Sequence, residues 1–297
     1  MSLSTVTTRI LAGIPLRDAL LEQARDVVRE LAQPVRLCIV QVGNHAASNV
    51  YIRNKQAACA RVGIIAEVVH IHEGQGEQAL HATLKALAVE SDVTAILVQT
   101  PLPRGWDVQA ALDLVPALKD VDGLSRASAE MRKDDAAQAL LPATPLGVMR
   151  LMEALQISPH GTSVAIIGKG MVVGAPLRDM LQRAGAQVIA IDKDTPQPAR
   201  LTRDCDVIVA AAGAPGLVTA EWVKPGATVI DVGLTRQDGK LLGDVARMDV
   251  ECIAGALTPV PGGVGPMTVA SLITNICDAA CLQLGRSRTV WKVDANA

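Results

Sequence analysis

A serine, a tyrosine and a lysine share one predicted helix face in the first third of the chain. Ser48, Tyr51 and Lys55 are spaced i, i+3 and i+7 within residues 47–62, a segment that reads as a helix. One stripe therefore presents a hydroxyl, the single tyrosine of the chain and an amine. Exposed lysines are common on helices, so the stripe fits either a functional lysine or an ordinary solvated face.

An amide and a carboxylate follow where a parallel sheet would present them to a ligand. Residues 93–99 read as an apolar strand ending in Gln99, and Thr100-Pro101-Leu102-Pro103 stops that strand. Ligands of parallel sheets bind at this carboxyl edge. In Lys119-Asp120-Val121-Asp122-Gly123 the glycine permits a tight turn that could aim a carboxylate inward; a solvated acidic turn is the alternative.

A glycine-rich turn in the second half suits a dinucleotide pyrophosphate. The predicted strand Ser163 to Gly168 leads into Gly170 and Gly174 and then an amphipathic run, which gives a GxGxxxG at a strand-to-helix turn. Glycine allows close approach of the phosphates, and the helix start stabilises their charge. The spacing is one residue longer than the common fingerprint, and a purely structural turn is the alternative.

The next strand and a later loop add to this interpretation. That strand ends at Asp192, where a carboxylate accepts hydrogen bonds from an adenosine ribose and repels a 2′-phosphate, whereas Lys193 could attract that phosphate. The choice between NAD and NADP stays open. Thr258 to Thr268 is rich in proline and glycine, and its rigid backbone could approach a flat ligand closely.

The pattern of elements predicts an α/β fold made of two α/β domains with a cleft between them. Strands and helices alternate up to Thr100, a polar and irregular stretch follows over residues 124–138, and the alternation then restarts. Continuous apolar strands indicate parallel sheets covered on both faces. The second domain is predicted to be a Rossmann-type doubly wound parallel sheet. We expect the first domain at 1–140, joined by a C-terminal helix within 267–297 that packs back on it, and the second at 141–266.

Length and composition agree with two domains. A chain of 297 residues exceeds the usual limit of one hydrophobic core, and 49% of it is hydrophobic although it holds three Trp, one Tyr and no Phe. The net charge of −2, with no basic cluster, argues against nucleic-acid binding. No apolar run suits a signal peptide or a membrane span, so we expect a cytoplasmic protein without membrane contact.

The cysteines and histidines predict no metal. The six cysteines form no CxxC pair and lie in apolar segments, as small buried hydrophobes do. His70 and His72 would share a strand face, but two imidazoles without a third ligand more often mark a solvated face.

Taken together, these segments resemble the bifunctional methylenetetrahydrofolate dehydrogenase/methenyltetrahydrofolate cyclohydrolase family. The resemblance covers nearly the whole chain in order, and its last segment is the most specific. It rests on residues 47–55, 98–103, 119–123, 143–147, 167–176, 229–233 and 259–268.

The resemblance implies a substrate, two reactions and a role for each matching residue. The enzyme would oxidise 5,10-methylenetetrahydrofolate with NAD(P) and hydrolyse the product to 10-formyltetrahydrofolate, in one-carbon metabolism and purine biosynthesis. Lys55 would be the general acid/base, Gln99 would hold its amine, Tyr51 would stack on the pterin, and Asp122 would accept its ring donors. Further folate contacts would come from Ser48, Pro261, Gly262 and Gly263.

The family's cofactor is NADP, with NAD as the alternative that Asp192 raises, and its members are commonly homodimers through the cofactor domain. The cofactor would contact Gly168, Lys169, Gly170, Gly174, Asp192, Lys193, Leu234 and Thr268.

The chain departs from the family pattern at several places. Most members continue the Asp-Gly turn with Phe-His-Pro, where this chain has Leu124-Ser125-Arg126 and a different segment up to Glu130. The usual Arg-Ser is Lys169-Gly170, the usual His-Ser is Asp192-Lys193, Thr100 replaces a Leu, and Ala143 replaces a Cys. Two alternatives follow: a paralogue that binds folate or nucleotide without turnover, and a dehydrogenase of another small substrate.

Overall fold

The computed structural model describes residues 7–134 and 137–293, which divide into two units. One, the three-stranded unit, comprises Asp18–Ala143 and Val269–Lys292. The other, the six-stranded unit, comprises residues 7–17 and Thr144–Thr268.

The three-stranded unit is built on a parallel sheet of order β3-β2-β4. Helices α1 and α10 begin a few residues outside this unit and end within it. The elements are α1 (Gly13–Leu31), β2 (Arg36–Val42), α2 (Ala46–Val62), β3 (Ile65–Ile71), α3 (Glu77–Val89), β4 (Ala95–Gln99), α4 (Val108–Leu112), α5 (Arg126–Asp134) and α10 (Val264–Gln283).

Alternate side chains of β2 and β4 enter two different cores, because successive residues of a strand point to opposite faces. Leu37 and Ile39 pack in a cluster with residues of α1, α2 and α10, whereas Val40 packs on the other face with Leu80 and Leu84 of α3. Both faces of this sheet are therefore covered, as the continuous apolar strands predict.

Helix α10 is the longest apolar segment of the described chain. Its length and its mean hydropathy of 1.2 would suit a membrane span, but 78% of its most apolar stretch is buried within the protein, as in a core helix. The apolar residues of α10 between Leu272 and Leu282 belong to the same core cluster as residues of α1 and α2.

The six-stranded unit is a parallel sheet of order β1-β11-β8-β7-β5-β6. Its elements are β1 (Arg9–Ile10), α6 (Ala143–Ala154), β5 (Ser163–Ile167), α7 (Gly174–Arg183), β6 (Gln187–Ile191), α8 (Pro198–Thr202), β7 (Val207–Ala210), β8 (Thr228–Asp231), α9 (Arg247–Val250) and β11 (Ala256–Leu257), with a separate antiparallel hairpin of β9 (Thr235–Gln237) and β10 (Lys240–Leu242).

Strand order reverses beside β5, since β6 flanks it on one side and β7 on the other. Such a switch point opens a crevice at the carboxyl ends of the strands, and this is where doubly wound sheets bind ligands. The predicted Rossmann-type parallel sheet is confirmed, and the predicted strands are observed with ends shorter by one or two residues.

Two details of the prediction are wrong. Residues 124–138 are not irregular throughout, because Arg126–Asp134 form α5, whose first turn is capped by Ser125: its Oγ accepts a hydrogen bond from the Ser128 amide at 3.1 Å. The N-terminal residues do not belong to the first domain either. Arg9 and Ile10 instead pair in parallel with β11, so backbone hydrogen bonds bind them to the six-stranded sheet.

Candidate functional site

Lys55 and Gln99 meet at the carboxyl end of the three-stranded sheet. The Lys55 Nζ donates to Gln99 Oε1 at 3.1 Å, and Gln99 Nε2 donates to the Thr100 carbonyl at 2.7 Å. The second bond fixes the amide so that its oxygen faces the lysine. Gln99 is 8% exposed, so its orientation is set by the end of β4 rather than by solvent.

Burial and one nearby carboxylate set the charge state of this lysine. Burial lowers the pKa of Lys55, and Asp122 opposes that change by favouring the ammonium form. Burial also raises the pKa of Asp122. The positive charge of Lys55 lowers that pKa, and the negative charge of Asp120 adds a smaller increase. A lowered pKa increases the fraction of neutral amine, which is the form that a general base requires.

The turn that carries Asp122 is held from beneath by Asp120. Asp120 is 2% exposed, and its carboxylate accepts hydrogen bonds from the amides of Gly123 at 3.0 Å and Ser125 at 2.8 Å and from Ser128 Oγ at 2.7 Å. Gly123 has φ +65, and a Cβ there would lie 2.8 Å from the backbone nitrogen of Pro142. Only glycine therefore fits this turn, which directly follows Asp122.

Ser125 and Ser128 are positioning residues that the sequence analysis did not identify. They lie in the segment that departs from the family pattern, and both are buried, at 0% and 1% exposed. The sequence does contain a signal for this helix start, because a serine three residues before another polar residue at the beginning of a helical run is typical of an N-cap.

The other two residues of the α2 stripe differ in exposure. Ser48 is 5% exposed, whereas Tyr51 is 40% exposed and so has a face available to a ligand. Lys55 lies on the same stripe and is partly buried. The structure thus places Lys55, Gln99 and Asp122 within interaction distance, with Ser48 and Tyr51 on the helix that supplies the lysine.

A separate cavity lies on the other side of α2, against the edge strand β3. Its volume is about 610 Å³, and Arg53, His70, His72 and Glu73 line it together with amide side chains, whereas Lys55 does not. Among residues 7–134 and 137–293, no three His, Cys, Asp or Glu side chains are grouped as a metal site requires.

In the six-stranded unit, the glycine turn after β5 leaves room for backbone and ligand but not for side chains. A Cβ on Gly168 would lie 2.1 Å from the Ala211 oxygen, and a Cβ on Gly174 would lie 1.9 Å from the Gly168 oxygen. A Cβ on Gly170 would meet nothing within 4 Å, so that side of the turn is open. Val173, the N-cap of α7, offers no side-chain cap that would compete with an anion there.

These features fit a dinucleotide with its pyrophosphate against the turn and its adenosine toward β6. Asp192 follows β6, and Lys169 Nζ lies 2.7 Å from its Oδ2. Lys193 is exposed, and Leu234 after β8 is 37% exposed. Thr268 Oγ1 donates to Thr144 Oγ1 at 3.2 Å at the start of α10.

The proline- and glycine-rich loop also belongs to the six-stranded unit. The carbonyl of Gly262 accepts from the Gly13 amide at 2.8 Å, and the Gly263 amide donates to the Pro259 carbonyl at 2.8 Å. A Cβ on Gly263 would lie 2.7 Å from both the Pro259 oxygen and the Thr258 Cβ, so this part of the loop requires glycine.

Both units match known protein families. The tetrahydrofolate dehydrogenase/cyclohydrolase catalytic-domain model matches residues 11–122, and the corresponding NAD(P)-binding-domain model matches residues 142–284. The bifunctional protein FolD of Parasynechococcus marenigrum is 41% identical over 259 residues, which is 86% of this chain and 88% of that protein.

Solved structures agree over similar lengths. The bifunctional methylenetetrahydrofolate dehydrogenase/cyclohydrolase from Campylobacter jejuni has a TM-score of 0.89 at 35% identity and covers 92% of this chain and 98% of that one. The Trypanosoma brucei methylenetetrahydrofolate dehydrogenase-cyclohydrolase, complexed with NADP and an inhibitor, has a TM-score of 0.88 at 31% identity, with coverages of 93% and 98%.

Proposed function

The chain belongs to the tetrahydrofolate dehydrogenase/cyclohydrolase family, and on that premise we propose that Lys55 is the general acid/base of its two-step reaction. The enzyme oxidises 5,10-methylenetetrahydrofolate to the methenyl compound with NAD(P) and hydrolyses that compound to 10-formyltetrahydrofolate. The observation that carries the proposal is the hydrogen bond of 3.1 Å between Lys55 and Gln99 at the end of β4.

In the oxidation, the main role of the protein is to position the folate and the dinucleotide. A nicotinamide dinucleotide held at the β5–α7 turn would supply the hydride acceptor for this oxidation. The protein's part is to hold dinucleotide and folate so that this transfer is possible, and the glycines of the β5–α7 turn support that role, because their backbone admits the pyrophosphate.

The hydrolysis requires proton transfer by a side chain of the protein. When water adds to the methenyl carbon, the neutral amine of Lys55 takes one proton from it. The resulting ammonium gives that proton to the ring nitrogen as its bond to the carbon breaks, and the remaining hydroxyl proton is released to solvent as the formyl C=O forms. Gln99 supports both states, because its oxygen accepts from the ammonium or from the neutral amine and so keeps Nζ in place. Burial, which lowers the pKa of Lys55, supports this cycle because it increases the fraction of neutral amine.

Substrate orientation is assigned to Asp122 and Tyr51. The Asp122 carboxylate offers two acceptor oxygens to an amino-pyrimidine edge, and it lies close enough to Lys55 to affect its pKa. Tyr51, with 40% of its surface exposed, can stack on a pterin. Ser48 adds a further proposed folate contact from the same unit.

Substitution of the lysine tests the general acid/base role. We expect Lys55→Ala to abolish hydrolysis of methenyltetrahydrofolate while the folate Kd changes little. Lys85→Ala is the matched control, because it removes an exposed helix lysine of the same unit. Near-normal hydrolysis in Lys55→Ala would refute the role. A folate-binding paralogue without turnover has no chemical need for this amine and predicts no hydrolysis in the parent protein.

We also propose a homodimer formed through the six-stranded unit. Leu241 and Leu242 of the β9–β10 hairpin are 40% and 36% exposed, and Met248 of α9 is 81% exposed, an apolar set that a second copy would cover. Light scattering should give twice the chain mass for the parent protein and the single-chain mass for Leu241→Lys/Met248→Lys.

We further place the enzyme in the cytoplasm. Its six cysteines are all free thiols, and five of them are buried, as is usual in a reducing compartment. Fractionation of cells into cytoplasmic and extracytoplasmic proteins tests this assignment, and recovery outside the cytoplasm would contradict it.

A further inference from the structure

An ion pair occupies the position where the two nicotinamide dinucleotides differ. Lys169 Nζ lies 2.7 Å from Asp192 Oδ2, while Asp192 Oδ1 accepts from Thr195 Oγ1 at 2.8 Å and from the Asp194 amide at 3.2 Å. Both oxygens of this carboxylate are therefore held by protein groups, and the lysine is directed toward the acid rather than into open solvent.

The place of this pair in the fold gives it a role toward the cofactor. Asp192 follows β6, whose last residue Ile191 is paired with Ile167 of β5, and the Gly168 amide donates to the Ile191 carbonyl at 2.8 Å. The glycine turn and the Asp192 carboxylate are thus neighbours at the carboxyl end of two adjacent strands. In doubly wound sheets, a carboxylate here binds the adenosine ribose hydroxyls, and the 2′-phosphate of NADP would occupy the same place.

Charges near the ribose position cancel. Lys169 and Lys193 supply two positive charges, and Asp192 and Asp194 supply two negative ones. Lys169 and the Thr195 hydroxyl hold the pKa of Asp192 at about 2, so the carboxylate stays ionised at any working pH. A 2′-phosphate, which carries between one and two negative charges near neutral pH, would face that ionised carboxylate, and Lys169 is already paired with the carboxylate, which leaves the exposed Lys193 as the neighbouring cation.

We propose that the Lys169–Asp192 ion pair makes this chain selective for NAD over NADP. Asp192 accepts the ribose hydroxyls through its remaining lone pairs, and it keeps Lys169 from serving as a phosphate ligand. The proposal rests on the proposed function only in requiring that the six-stranded unit binds a nicotinamide dinucleotide.

Calorimetric titration with NAD⁺ and with NADP⁺ tests this selectivity without any turnover. We expect the parent protein to bind NAD⁺ about tenfold or more tightly than NADP⁺, the effect of one like charge near a phosphate in a partly solvated site. Asp192→Ser should raise the affinity for NADP⁺ by about the same factor, because it removes the repulsion and frees Lys169. The double variant Asp192→Ser/Lys169→Ala should lose most of that gain.

Asp206→Asn is the matched control. Asp206 also forms an exposed ion pair, with Lys224 at 2.8 Å, but it precedes β7 and so lies at the opposite end of the sheet. Its removal should leave the ratio of the two affinities unchanged. Thermal melting of each variant, followed by circular dichroism, shows whether the fold is retained.

Three outcomes would overturn the inference. Equal affinity of the parent protein for both dinucleotides removes the selectivity, and an unchanged ratio in Asp192→Ser removes the role of the carboxylate. A gain in NADP⁺ affinity that survives Lys169→Ala would show that another cation takes the phosphate. If neither dinucleotide binds the folded parent protein, the proposed dehydrogenase function fails instead, so the two failures are distinguishable.

Discussion

Removal of the Ser128 hydroxyl should destabilise the turn that carries Asp122. In the structure this hydroxyl donates to Asp120 Oδ2 at 2.7 Å, in a place where both residues are nearly inaccessible to solvent. A hydrogen bond to a carboxylate contributes about 1.5–3 kcal/mol, and alanine regains about 0.5 kcal/mol because it is the better helix former. We therefore expect Ser128→Ala to lower the free energy of unfolding by about 1–2.5 kcal/mol.

Two measurements check this value. Urea unfolding gives the global change, but the chain has two units that need not unfold together, so a local measurement is also required. Hydrogen exchange of the Gly123 and Ser125 amides supplies it, since both donate to the Asp120 carboxylate that Ser128 supports. Their exchange should be faster in Ser128→Ala than in the parent protein.

An exposed serine provides the control. Ser91 lies on the surface of the same unit, and Ser91→Ala should change the free energy of unfolding by less than about 0.5 kcal/mol. If Ser128→Ala costs no more than this control and leaves the two amides equally protected, the proposed support of the Asp122 turn by Asp120 is wrong.

Four further substitutions follow from the structure. Asp122→Asn should lower the pKa of Lys55 further, because it removes the negative charge that favours the ammonium. The pH midpoint for reaction of Lys55 with an amine-selective reagent should then fall. A rise of that midpoint would contradict the influence of Asp122 on Lys55. Gly174→Ala should destabilise the protein by about 1–3 kcal/mol in urea, because its Cβ would meet backbone, whereas Gly170→Ala should be nearly neutral. Gly123→Ala should lower the free energy of unfolding by at least about 2 kcal/mol, because its φ is left-handed and a backbone atom lies 2.8 Å from the added Cβ. An unfolding midpoint at the same urea concentration as the parent protein would refute this prediction.

Local chemistry and periodicity were sufficient for much of the fold. Continuous apolar strands predicted parallel sheets covered on both faces, and Gly168, Gly170 and Gly174 predicted a strand-to-helix turn at the end of β5, which the structure has. The α2 stripe of Ser48, Tyr51 and Lys55 followed from helical spacing alone.

Other elements were missed although local signals for them existed. The β9–β10 hairpin turns through Asp238 and Gly239, which both have positive φ, and Asp-Gly between two short strands is a common signal of such a turn. Helix α5 was missed because its composition is polar, although Ser125 and Ser128 at its start are typical of an N-cap.

The sequence by itself determined which side chains could do chemistry and on which kind of element each would lie. Only the tertiary structure decided which of them meet, because the Lys55–Gln99 bond joins residues 44 apart and the Lys169–Asp192 pair joins residues 23 apart. Parallel strands carry their carboxyl ends to one edge, so contacts there depend on strand order, which local pattern does not specify. The charge state of Lys55 has the same origin, since burial arises from packing and not from the residue type.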